Sequence, residues 1–176
     1  MAYAFDCPDS PRPFDGRLGQ LESLLYDHWH GIHPLNGKLP GRQHFDPVEL
    51  AHRYPQLLQH LWLVDVERDP LRFRLQLVGS AVYMTSPFAR SGRYIDEFID
   101  PASRAETLNA AFTRLVETRQ PEFRQGWPRV ASSRHARQLA RLSLPLAADG
   151  ETVDTIVNLT TYAWATIDRP DFARAD

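Results

Sequence analysis

The sequence predicts an α+β fold: a five-stranded antiparallel sheet with helices inserted between its second and third strands, preceded by an N-terminal helix. Three observations predict it. Leu61 to Ser80, LWLVDVERDPLRFRLQLVGS, sets two strand-like runs around a charged turn and stops at a Gly-Ser pair. After it, Asp100-Pro101 opens the longest segment with helical spacing. From Glu122 onward, β-branched and aromatic residues gather into three further runs, the last two separated by the turn signal Ala148-Asp149-Gly150.

Taken in chain order, Met1 to Gly16 is rich in proline and reads as a flexible leader outside the fold. Residues 17–165 then form one domain, and 166–176 a polar tail. Between Arg17 and Trp29, Leu18, Leu21, Leu24, Leu25 and Trp29 recur at helical spacing, and Gly31 ends the pattern. The apolar face of that helix must be covered, either by this protein's own sheet or by the same helix of a second subunit. A connector punctuated by glycine and proline follows, holding one short helix. Asp46 suits its N-cap, Pro47 its first position, and Tyr54-Pro55 its end.

After the hairpin, Ser80 to Asp100 shows no sustained period and reads as short helical turns and loops. Ala105, Leu108, Ala111, Phe112, Leu115 and Val116 form the stripe of the long helix, about Ala102 to Thr118, which Pro121 closes. The last strands are expected near 123–130, 138–146 and 152–164. In the final run both parities carry apolar and small polar groups, which predicts a central strand covered on each side. Helices gathered on one sheet face would leave a cavity beneath them.

Charge and composition exclude several classes. With 43% hydrophobic and 24% charged residues and a net charge of -2, the chain is neither disordered in composition nor built for nucleic acid. No apolar run approaches the roughly 20 residues that span a bilayer, so no membrane segment is expected. The N-terminus lacks the basic and apolar blocks of a secretory signal, and the lone Cys7 has no partner for a disulfide. A cytoplasmic location is therefore expected.

The helix ending LLYDHWHGI, the connector KLPGRQHFDPVEL, the pair LWLVDVERDPLRFRLQLVGSAV, the segment SGRYIDEFI and the strand RLSLPLAADG followed by VNLTTY together resemble a bacterial family of small stand-alone PAS-like proteins. The resemblance covers roughly Leu24 to Tyr162. It implies a sensory or regulatory module that binds a small molecule or a partner protein without performing chemistry. It also implies a homodimer, formed through the N-terminal helix and the outer sheet face.

Catalytic and metal motifs do not compete with this expectation. His28, His30 and His33 cluster in DHWHGIH, but Gly31 and Pro34 break the helix that a metal site there would need. A helix C-terminus that favours imidazolium is the simpler account. Ser132 and His135 lack the GxSxG elbow of a nucleophilic serine. The stretch from Ser80 to Thr118 offers no histidine or cysteine as an axial ligand, only Met84 and tyrosines, which argues against haem. Cys7 lies outside the fold, which argues against flavin photochemistry. The cofactor is otherwise unknown.

Two sets of residues are candidates for the pocket. Phe73, Leu75, Leu142 and Asn158 from the strands, with Tyr83, Met84, Phe88, Tyr94 and Phe98 from the helical middle, would make an apolar ligand site. If the opposite parity faces inward, Arg74 and Arg141 converge with Asn158 and bind an anion. A slip of one residue inverts the answer. The apolar parity is favoured. A competing possibility from another class is a small α+β enzyme of the isomerase or dehydratase kind, with a histidine or with Asp65 or Asp154 as its pocket base.

Overall fold

The structure is a computed structural model that describes residue 14 and residues 17–34, 37–97, 105–126 and 136–164. In chain order the elements are α1 (Gln20–Gly31), α2 (Pro47–Arg53), β1 (Leu61–Glu67), β2 (Arg72–Val78), α3 (Ser80–Thr85), α4 (Ala105–Thr118), β3 (Glu122–Gly126), β4 (Ala136–Leu146) and β5 (Thr155–Trp164). Short 3-10 turns at Arg42–His44, Pro55–His60 and Ile95–Glu97 complete them. The strands form one antiparallel sheet in the order β2-β1-β5-β4-β3. An α+β fold with a five-stranded antiparallel sheet is therefore observed.

Local sequence accounts for most boundaries. Asp46 caps α2 by accepting from the Val48 N–H at 2.8 Å, with Pro47 following it. Gly79 ends β2 and begins α3, its N–H donating to Leu61 and its carbonyl accepting from Tyr83. A Cβ at Gly79 would stand 2.5 Å from the backbone oxygens of both Leu58 and Gln59. The 3-10 turn packs against the chain there so closely that only glycine fits. Gly79→Ala is expected to destabilise the fold by about 1–3 kcal/mol, because backbone rather than a flexible side chain must yield. An unchanged urea midpoint would show that the turn can move aside.

The central position of β5 matches the mixed parity of its sequence. Thr155 through Thr160 are all buried, and β5 pairs with β1 on one side and β4 on the other. A strand with neighbours on both edges and cover on both faces has no solvent side for polar residues to occupy.

The helices lie on both faces of the sheet, not on one as expected. Phe112 of α4 packs against Trp62 and Phe73, with ring centroids 5.9 and 5.3 Å apart, so α4 covers the face formed by the even positions of β1 and β5. α1 covers the other face. There the Thr161 hydroxyl donates to Glu22 at 2.6 Å, and the Trp29 indole N–H donates to the Pro145 carbonyl at 2.9 Å. Leu25, Tyr26 and Trp29 are buried within the chain, so the apolar stripe of α1 is covered by this protein's own sheet. The second face exists because the sheet buries aliphatic residues in both directions, Leu142 and Leu144 toward α1 and Val64 and Leu75 toward α4.

The leader also needs correction. Phe14 is buried, edge-on to Tyr26 at 6.2 Å and 5.9 Å from Phe123, so the core begins before Arg17. Proline-rich composition concealed one apolar anchor. The helix itself starts later than expected, at Gln20 behind an extended Gly19, and Leu18 packs on the core from outside it. Among the described residues, no helix is long and apolar enough to cross a membrane.

Candidate functional site

The face of the sheet beneath α4 is divided along its width. Cross-strand partners share a face, so the pairings assign every inward side chain. At the β2–β1 end, Phe73 and Leu75 stand opposite Val66 and Val64, and Ile156 continues the row. This half is apolar. At the β4–β3 end, Arg141 stands opposite Thr160 and Arg124, and Ser143 stands opposite Asn158 and Glu122. This half is polar, and Phe112 lies above the boundary.

Several of these polar groups satisfy one another. Ser143 donates its hydroxyl to Asn158 Oδ1 at 2.7 Å, and the Asn158 amide donates to the Ile156 carbonyl at 3.3 Å. Trp62 Nε1 donates to Thr160 Oγ1 at 2.9 Å, giving the buried indole the partner it requires. Tyr162 is hydrogen-bonded to Thr85 of α3, and burial pushes its phenol above the ordinary range. These contacts tie β5 to β1, β4 and α3.

Arg141 is the exception. Its side chain is 6% exposed, its Cζ lies 5.5 Å from the Phe112 ring centroid, and its Nε is buried with no hydrogen-bond partner. Burial pushes the guanidinium down to about 10, with Glu122 opposing the shift and Arg124 adding to it. Arg141 therefore stays charged at neutral pH. The nearby Glu122 directs one oxygen to Arg114 at 2.8 Å, while its other oxygen, Oε2, is buried without a partner. Along α4, one turn before Phe112, the Asn109 side chain also keeps a buried oxygen without a partner.

The expected site residues are scattered accordingly. Phe73, Leu75 and Asn158 are buried on the α4 side. Leu142 is buried on the opposite face, opposite Leu159 and Phe123, and does not line that layer. Tyr83, Met84 and Phe88 are 41%, 75% and 62% exposed. α3 turns Val82 and Thr85 inward, and the helical period then sends residues 83 and 84 outward. Phe98 lies outside the described residues, as do Cys7, Ser132 and His135.

The two arginines of the anion set are on opposite faces. Arg74 stands directly across from Asp65 on the α1 side and binds Glu67 at 2.6 Å and Asp65 at 3.1 Å. Arg42 reaches Asp65 as well, at 3.6 Å. Tyr94 belongs to this cluster, not to a pocket: its hydroxyl donates to Glu67 at 2.7 Å, and Arg72 lies 3.6 Å over its ring while pairing with Asp96. Tyr94 and Arg74 hold the Glu67 carboxylate below the usual range. The cluster fastens the segment after α3 to the hairpin edge. Register alone would have found it, since the turn in VERDPLRFR brings Arg74 across from Asp65.

Asp65 and Asp154, the nominated bases, are both engaged away from the polar half. Asp65 is held by the two arginines, and Asp154 accepts from the Ala148 N–H at 2.7 Å. On the α1 side, a cleft of about 250 Å³ is lined by Arg17, Gly19, Glu22, Gln125, Gln138 and Thr161. Its buried Glu22 escaped notice in the sequence, where it reads as an ordinary first-turn acid.

The histidines at the end of α1 pack instead of converging. Among the described residues, no group of three or more His, Cys, Asp or Glu could hold a metal ion. His28 is buried between Phe45 and Tyr54, with ring centroids at 5.6 and 6.3 Å, and His33 stands edge-on to Trp29 at 4.3 Å. Both rings titrate below 6.5, chiefly because burial disfavours the imidazolium. Glu49 opposes this at His28 and the Lys38 carbonyl opposes it at His33. Burial thus outweighs the helix-end effect expected to favour charge.

Since both folded-state values lie below that of the unfolded chain, the unfolded state takes up more protons in acid. Their contribution to stability is fully present above about pH 6.5 and lost as pH falls below it. The urea midpoint is expected to be lower at pH 5.5 than at pH 7.5, and His28→Gln with His33→Gln should narrow the difference. A profile unchanged by the double substitution would assign the acid sensitivity elsewhere.

No family model matches this chain, and neither a curated protein sequence nor a solved structure matches it.

Proposed function

We propose that this protein is a PAS-like sensory or regulatory module, non-catalytic and cytoplasmic, that binds a small molecule between its sheet and α4 and acts through protein contacts. The observation that carries this is the divided layer beneath α4. An apolar half formed by Phe73, Leu75 and Val64 adjoins a polar half whose Arg141 and Glu122 have unmet hydrogen-bonding capacity. A protein interior built only for stability satisfies such groups or leaves them out. Ligand sites instead combine apolar walls with a few polar groups that set orientation.

Signal output would follow a population shift. α3 touches this layer through Thr85 and Tyr162 and carries Tyr83 and Met84 on its outer side, with Phe88 beyond it. A ligand that favours one packing of residues 80–97 would change how these exposed side chains meet a partner protein. The family resemblance adds a homodimer. Because α1 already buries Leu25, Tyr26 and Trp29 on its own sheet, that dimer would use another surface.

Native mass spectrometry of the protein purified from its own host tests the central claim. A retained small molecule, released on denaturation, is the expected result. No retained molecule, together with no shift in melting temperature across a ligand panel, would leave a filled-core adaptor as the better description.

A further inference from the structure

We infer that the cleft between the first turn of α1 and the β3–β4–β5 end of the sheet is a binding site for a small zwitterionic amino acid, held by Glu22 and Arg17. It lies on the sheet face opposite α4 and does not rest on the ligand layer proposed there.

Small residues make the space. Gln125, Ala140 and Thr161 form one cross-strand row and Gln138 and Ala163 the next, on the face that α1 covers. With alanines at the centre of both rows, about 250 Å³ stays open beside the start of the helix. Pockets for drug-sized ligands run from about 300 to 1,000 Å³, so this one suits a smaller molecule. Gly19 adds to the room, since a Cβ there would stand 2.5 Å from Glu22 Oε2.

Glu22 sets the chemistry. It is 3% exposed and still lines the cleft. Its Oε1 accepts from the Thr161 hydroxyl at 2.6 Å, while among the described residues Oε2 has no hydrogen bond and the carboxylate no ion pair. A place in the first turn of α1 compensates part of the charge through the helix dipole, which lets the fold hold the group. One acceptor nevertheless stays open, where a buried carboxylate is normally paired. An ammonium, with three N–H donors, is the partner that fits.

Arg17 narrows the class. It is exposed on the same cleft, 6.0 Å from the Phe14 ring centroid, and has no ion pair among the described residues. A bare cation bound to Glu22 would be repelled by it. A ligand that carries an ammonium and a carboxylate close together answers both charges. Gln125 and Gln138 offer amide donors and acceptors to either end, and Leu18 with the two alanines offers apolar contact to a short side chain.

Melting temperature and calorimetric titration of the full chain with each of the common L-amino acids test this. At least one is expected to raise the melting temperature and to titrate to saturation. Its N-acetyl derivative, which lacks the ammonium, and its amide, which lacks the carboxylate, should bind more weakly. Glu22→Gln keeps the bond from Thr161 but removes the charge, and should weaken binding by about tenfold or more, the worth of one hydrogen bond to a charged group. Arg17→Met should weaken it less, because an exposed pair is screened by water. Gly19→Ala sets a methyl against Oε2 at a backbone conformation alanine accepts, φ -72° and ψ 177°, and should weaken binding while the unliganded melting temperature holds. The inference is overturned if no amino acid binds, if the N-acetyl derivative binds as tightly as its parent, or if Glu22→Gln and Gly19→Ala both bind like the unmodified chain. If Arg141→Met abolishes binding and Glu22→Gln does not, the amino acid sits beneath α4; this site then falls while the ligand layer there stands.

Discussion

Replacing Arg141 with methionine is expected to stabilise this protein, by about 1–4 kcal/mol if it behaves like other buried ionic groups exchanged for apolar residues of similar length. Methionine reaches into the same space under Phe112 without bringing a charge out of water. Against this gain stands the loss of the guanidinium–ring contact, 5.5 Å from the Phe112 centroid. Such contacts are worth about 0.5–2 kcal/mol, less than the several kcal/mol that burying an unpaired ion costs. The substitution should raise the urea midpoint without changing the slope of the transition. A destabilised Arg141→Met protein would mean that the guanidinium holds the fold together, and the case for a ligand site would lose its strongest support.

Truncating the ring above it should have the opposite effect. Phe112 is fully buried and packs against Trp62, Phe73 and Arg141 at the boundary between the two halves of the layer. Phe112→Ala removes those contacts and leaves a cavity, at a cost of about 3–5 kcal/mol. Phe112→Leu keeps most of the volume and should cost less than about 1.5 kcal/mol. The two variants separate packing from aromaticity. Near-equal losses would place the energy in the ring's interaction with the guanidinium and its aromatic neighbours, not in filled space.

The contrast between these variants also shows which parts of the molecule were legible in the sequence. Local signals worked wherever the cause was local. Asp46 and Pro47 mark the start of α2, Gly79 marks the end of the hairpin, and the mixed parity of Thr155 to Thr160 marks a covered central strand. Alternation in β2 and β4 separated the side chains into two sets, but it could not assign a set to a face. The sheet is covered by α1 on one side and α4 on the other, so both faces are apolar. The leucines of RLSLPL therefore point toward α1, while the Phe73 and Leu75 of RFRLQLV point toward α4. Arg74 and Arg141 looked equivalent for the same reason. The local hairpin register accounts for the arginine held by Asp65 and Glu67, whereas the burial of Arg141 depends on β5 and α4, which pack on it from elsewhere in the chain.

The polar half had a faint signal of its own. Glu122 and Arg124 share a parity in β3, and Arg141 and Ser143 share one in β4, an unusual density of polar groups around a strand whose second half is buried. Trp62, Thr160 and Tyr162 gave no such warning, since each is an ordinary strand residue until its neighbour is known. Met84 shows the converse error. As an apolar residue in the segment over the sheet it reads as pocket lining, yet a helix as short as α3 can bury one side only.

The strand order carries a consequence for how the chain is made. Among the described strands β5 comes last in the chain and lies in the middle of the sheet, joining β1 at Leu61–Leu159 to β4 at Leu142–Leu159. Until it emerges from the ribosome, the β1–β2 and β3–β4 hairpins have no connection to each other, and the inner edge of each stays open. Such edges are templates for pairing with foreign strands, and closing the sheet must wait for contacts between residues far apart in sequence. The chain is thus most exposed to aggregation between the emergence of β4 and that of β5, and a chaperone that shields strand edges would act on it in that interval.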